Sequence, residues 1–157
     1  MTQVNIGLDE NVRKSVAEAL NKTLADTYGL YMKTHAYHWN VTGPQFHTLH
    51  VMFEEQYREM WAALDEIAER VRALGMFAPS SGKALSDLGV IDNADAEPPA
   101  STTMIERLLD GHETLIRRAR EALAVAEEAG DAASADLLTV RIQTHEKTAW
   151  MLRSMVQ

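Results

Sequence analysis

Apolar residues recur at Val12, Val16, Leu20, Leu24 and Tyr31. Steps of four and seven put them on one stripe of an α-helix and on no single face of a β-strand. A stripe this long must be covered by others, and the chain supplies them. A first helix is predicted from an N-cap at Asp9 to near Asn40, with Gly29 a weak interior spot. TGPQ restarts a helix: Thr42 and Gln45 have capping-box spacing, Val41 and Phe46 are placed to staple, and Pro44 suits a first turn. This second helix carries Leu49, Phe53, Met60, Leu64, Ile67 and Val71 inward, runs to Leu74 and closes at Gly75.

Residues 75 to 100 break the period with glycines, Pro79, Pro98 and Pro99, and ALSDL (84–88) is predicted to form one short helix there. STTMIE opens a third long helix, with Thr103 and Glu106 at capping-box spacing, which runs to Gly130. Asp131 caps a fourth that continues to the end. Neither strand alternation nor an Asn-Gly turn is present. The expected fold class is all-α, a ferritin-like four-helix bundle with a short helix in the long connection between helices two and three. Residues 1–157 are expected to form a single domain.

Composition narrows the chemistry. The 157 residues include no cysteine, which excludes disulfides, thiolate zinc sites and iron–sulfur clusters. The first twenty residues lack the apolar core of a signal peptide, and no apolar run approaches the roughly 20 residues of a membrane span. A cytoplasmic location without membrane attachment is the expectation. The net charge of −8 repels nucleic acid unless a basic patch overrides it, and none is seen; it attracts cations.

Four of six histidines fall in HAYHWNVTGPQFHTLH, residues 35–50. His35 and His38 continue the inward stripe of the first helix. On the second helix His50, Glu54, Asp65 and Glu69 span an arc of about 100° and share a face. Imidazole beside carboxylate is a metal-binding donor set. Any one of these carboxylates alone is as readily solvated surface. Glu54 and Asp65 lie eleven residues apart, roughly 16 Å along a helix axis, whereas metal–ligand distances are near 2 Å. One chain therefore cannot close a site from both pairs. Two antiparallel second helices across a two-fold axis near residues 59 and 60 can, giving two sites per dimer. The Glu-x-x-His motif of ordinary di-iron bundles is missing, since no histidine has a glutamate three residues before it.

HWNVTGPQFHTLHVMFEEQYREMWAALDEIAERVRALG resembles the signature segment of the Dps family, the mini-ferritins named as DNA-binding proteins from starved cells. ADLLTVRIQTHEKTAWMLRSM resembles that family's last helix, so the likeness covers nearly the whole chain. It implies a homo-dodecameric shell with ferroxidase sites between two-fold-related subunits. These oxidise Fe(II), preferentially with hydrogen peroxide rather than oxygen, and store ferric mineral inside, protecting against oxidative stress. The family's ligands fall on His38, His50, Asp65 and Glu69, with a further acidic ligand at Glu54 where some members have aspartate. Iron is the expected metal, in a dinuclear or partly occupied site, with zinc a possible substitute. Trp39 matches the tryptophan beside the site. Asp131 and Asp136 match acidic positions lining three-fold pores, although a capping role suits Asp131 equally.

Other residues have ordinary readings. His35 supports the site or is a hydrogen-bonded core histidine, the latter preferred. His47 faces solvent or a cavity. His112 and His145 stand alone in the sequence and are expected to carry no chemistry. Trp39 and Trp61 can intercept oxidising equivalents, but packing is the commoner use. Glu55, Glu59 and Glu66 can seed mineral or simply be solvated. DNA binding is not expected: the terminal segments carry no basic cluster, and twelve copies at −8 each sum to −96. The alternatives are a DNA-compacting protein with structural metal and a non-catalytic metal buffer.

Overall fold

The computed structural model describes residues 3–92 and 95–157. Its helices are α1 (Glu10–Asn40), α2 (Phe46–Ala73), α3 (Gly82–Leu88), α4 (Ser101–Glu128) and α5 (Ala132–Ser154), and no strand occurs among the described residues. α1 packs along α2 and α4, α4 along α5, and the short α3 lies on α1. The result is the expected all-α four-helix bundle with a short helix in its crossover. Leu20, Leu30, Phe53, Ile67, Leu108, Leu115 and Leu138 are fully buried along the bundle. Truncating one such Leu or Phe to Ala typically costs about 2–5 kcal/mol, because the lost transfer energy adds to a cavity that relaxes only partly.

The helix ends differ from expectation in instructive ways. Neither capping box forms. α2 begins at Phe46, after Gln45, because Gly43 takes φ +108° and the Phe46 amide bonds back to the Gly43 carbonyl at 3.0 Å. Thr42 therefore lies outside the helix. Phe46 is 44% exposed and Val41 buried, so they do not staple. α4 begins one residue after Ala100, which puts Thr103 inside the first turn. Asp9 precedes α1 without a side-chain cap bond. Two caps do form. Ser81 accepts from the Ala84 amide at 3.1 Å and starts α3 two residues earlier than predicted, and Asp131 accepts from the Ser134 amide at 3.1 Å.

The long connection is pinned to the bundle by polar groups. Asp26, fully buried on α1, accepts from the Val90 amide at 2.8 Å and from Arg118 Nε of α4 at 2.7 Å. Gly29 is required there: a Cβ on it would sit 2.9 Å from the Ile91 carbonyl oxygen. The apparent weak spot in the first helix is thus where the crossover lies directly on the helix backbone.

Candidate metal centre

His38, near the end of α1, and His50, in the first turns of α2, stack with ring centroids 3.8 Å apart at 16°. The Nδ1 of each lies 2.7 Å from the backbone carbonyl oxygen of the other. A carbonyl only accepts, so each Nδ1 carries a proton and donates it. When the imidazoles are neutral, both Nε2 atoms keep a free lone pair. This is how metal-ligating histidines are held, with the second nitrogen fixed to a carbonyl so that the first faces the metal. The turn through Gly43 makes the exchange possible by folding α2 back along α1.

Around the pair lies an aromatic layer. His35 is hydrogen-bonded to the Tyr31 hydroxyl at 3.0 Å and stacked on Tyr57 with centroids 3.8 Å apart; Tyr57 meets His38 edge-on at 5.1 Å. Burial holds the His35 imidazole below its ordinary pKa. His35 is thus a hydrogen-bonded, half-buried histidine that also buttresses His38. Tyr57 was not singled out in the sequence; it stands seven residues after His50, two helical turns along the same face.

The carboxylates stand apart from the histidines. Glu54 is ion-paired with Arg58 at 2.8 Å, and the Arg58 hydrogen bond holds its carboxyl below the usual range. Asp65 lies in a groove of 590 Å³ with Trp61, Tyr28 and Leu24. Glu69 lies in another of 440 Å³ with Glu66, Arg70 and Asp136. Asp65 and Glu69 are both exposed. Among the described residues of one chain, no three His, Asp or Glu side chains come close enough to share a metal. The structure therefore brings His38 and His50 together and leaves Asp65 and Glu69 on open surface.

Other candidates are redistributed. Trp39 and Trp61 are 59% and 63% exposed, so neither is a core aromatic within the chain. His47, Glu55 and Glu66 are exposed. Asp131 is buried, and Arg70 at 2.8 Å joins Ser134 on its carboxylate; burial opposes ionisation, but these bonds outweigh it and hold the pKa low. Its cap is real and its carboxylate is already paired, while Asp136 stays exposed. Glu59 keeps part of its side chain in solvent but is not free, because both its oxygens receive the Arg141 guanidinium.

The expectation that His112 and His145 stand alone is overturned. They meet across α4 and α5 with Nδ1 atoms 2.9 Å apart, both buried. Thirty-three residues separate them, and helical period does not say which faces of two helices meet.

The Ferritin-like domain family matches residues 17–157. The chain is 37% identical to DNA protection during starvation protein 2 of Bacillus anthracis, over 92% of this chain and 99% of that one. The structure superposes on DpsC from Streptomyces coelicolor with a TM-score of 0.96 at 29% identity, covering 99% and 91% of the two chains. It superposes on the Dps protein of Vibrio cholerae, a member of a broad superfamily of ferritin-like diiron-carboxylate proteins, with a TM-score of 0.93 at 31% identity, covering 100% and 99%. With this fold and these alignments along nearly its full length, the chain belongs to the Dps branch, the mini-ferritins, of the ferritin-like family.

Proposed function

We propose that the protein is an iron-storing ferroxidase whose site is shared between two copies of the chain. The observation that carries this reading is the reciprocal His38–His50 pair, which presents two neighbouring Nε2 lone pairs while the matching carboxylates lie elsewhere on α2. His38, His50 and Glu54 of one copy would face Asp65 and Glu69 of the partner subunit, with Glu54 first released from Arg58. Mixed imidazole and carboxylate donors suit Fe(II). Iron is the substrate here. Two ferrous ions supply the two electrons that reduce one peroxide, with two protons, to two waters, so no hydroxyl radical is released. The likeness to shell-forming Dps proteins favours a dodecamer that stores the ferric product. The exposed Trp39 and Trp61 and the groove beside Asp65 are the kind of apolar surface a second copy would cover. Zinc would fit the same donors, and Asp136, rather than the paired Asp131, is left to line a route for incoming cations.

Complementation tests the shared site. One variant carries His38→Ala and His50→Ala, the other Asp65→Ala and Glu69→Ala, and each alone should lose rapid Fe(II) oxidation. In a mixed dimer, one interface combines both defective halves and the other draws only on unmutated positions. Co-refolding should restore activity toward half the sites. Mixed particles that form but stay inactive would sink the shared site.

The DNA-compacting alternative has in its favour only the name of the Bacillus anthracis relative. A shell of twelve chains at −8 repels phosphate.

A further inference from the structure

Between α2, α4 and α5 runs a chain of hydrogen bonds whose direction can be read from its first member. The Arg141 guanidinium, 4% exposed, spans both oxygens of Glu59 and reaches Nε2 of His145 at 2.9 Å. Guanidinium only donates. His145 Nε2 must therefore accept, and in the neutral ring its proton sits on Nδ1. That proton points at Nδ1 of His112, 2.9 Å away, which accepts it. The proton of His112 is thereby forced onto Nε2. Burial keeps both rings neutral by depressing their pKa, that of His112 to about 3, so each carries one proton near neutral pH.

The relay ends in an unused donor. His112 is 2% exposed, and its Nε2 has no hydrogen-bond partner among the described residues. Gln56 on α2 has the complementary defect, a buried carboxamide oxygen without a partner. Both side chains line one pocket of 190 Å³, walled by Met52 and Thr148 and opening to the surface past Glu55 and Lys147. Buried donors and acceptors are rarely left unpaired in folded proteins. A pocket of this size readily holds a water-sized guest.

The two atoms specify the guest. It must accept from an imidazole N–H and donate to a carboxamide oxygen. A metal ion does neither. For His112 to offer a lone pair at Nε2, both protons of the relay would have to switch, and His145 would turn an N–H against the guanidinium. We propose that each bundle carries a second polar site, at the buried end of this open pocket, for a small neutral hydroxylic molecule such as water or hydrogen peroxide. It is held between His112 Nε2–H and Gln56 Oε1, and Arg141 closes it to metal ions by fixing both tautomers.

Crystals of the assembled protein at neutral pH test this in three arms: untreated, soaked in hydrogen peroxide, and soaked in zinc. The untreated crystals should show one ordered oxygen within hydrogen-bonding distance of both atoms, about 2.7–3.2 Å. Density for two bonded oxygens after the peroxide soak identifies peroxide as a guest, and unchanged density identifies water alone. Gln56→Leu should abolish the ordered density while leaving Fe(II) oxidation intact. Solid-state ¹⁵N spectra of the unaltered protein should show His112 protonated at Nε2 and His145 at Nδ1. An empty pocket, direct closure of Gln56 onto His112, the opposite tautomers, or anomalous zinc density on His112 would each overturn the proposal.

Discussion

His38 and His50 meet ring on ring between α1 and α2; His112 and His145 meet nitrogen to nitrogen between α4 and α5. In the first pair the partners are backbone carbonyls, which draw the protons to Nδ1 and leave lone pairs pointing outward. In the second the partner is a guanidinium, which claims a lone pair and pushes the proton to the far end of the chain. The same side chain thus becomes a potential metal ligand in one place and a hydrogen-bond donor in the other. Residue type does not separate the pairs, and burial does so only in part, for His38 is 8% exposed while His50 is half-buried. The difference lies in what stands behind each imidazole.

The strongest way to break this contrast is by function. His38→Ala with His50→Ala should cost more in Fe(II) oxidation than the roughly 10–100-fold typical of losing a mere supporting residue. His112→Gln with His145→Gln should leave the rate of ferric product formation unchanged. Equal losses in the two variants would erase the distinction.

Next in size is the tautomer lock. Arg141→Met removes the donor to His145 and should lower unfolding stability by about 2–3 kcal/mol, the order expected when buried polar groups lose a charged partner. With the lock gone, the variant should gain zinc density at His112 or His145, and zinc bound only at His38 and His50 would show that something other than Arg141 excludes the metal.

Acid should next test the burial of the His112–His145 pair. The folded pKa of His112, about 3, lies below the ordinary value of 6.5, so the unfolded chain binds the extra proton. Its stabilisation is full above pH 6.5 and is lost as pH falls toward 3, by about 1.4 kcal/mol per pH unit once well below 6.5. His145 is shifted in the same direction. Denaturant titrations from pH 7 to 4.5 should show a steeper decline in the unaltered protein than in His112→Gln, and parallel curves would deny that burial holds this ring neutral.

The smallest effect belongs to Glu54. Its bond to Arg58 is a solvent-exposed i, i+4 pair, and such pairs contribute little. Arg58→Ala should leave the thermal midpoint where it is while modestly tightening Fe(II) binding by freeing the carboxylate, as isothermal titration would report. Weaker binding would assign Arg58 itself to the site.

Much of this molecule was legible before folding. Apolar stripes of helical period located the first two long helices, STTMIE, Gly130 and Asp131 marked the bounds of the other two, and the prolines and glycines of residues 75 to 100 located the crossover. The His50-to-Glu69 arc was readable because a single helix converts spacing into angle. Caps were less legible. Thr42 with Gln45 and Thr103 with Glu106 had the right spacing, yet Gly43 and Ala100 set the actual starts. Spacing states what a cap can do; the path of the preceding chain decides whether it is in place.

The sequence by itself determined the helices, the inward faces of the first two, and the fact that His50 and Asp65 cannot meet in one chain, because each of these follows from distances along one helix. Only the tertiary structure decided that His38 and His50 exchange backbone bonds. The same holds for the buried Asp26 that ties the crossover down and for the relay from Glu59 through Arg141 and His145 to His112. These pairings depend on the rotation and register of one helix against another. Those are set by how whole surfaces pack, and a period along one strand of sequence carries no record of them.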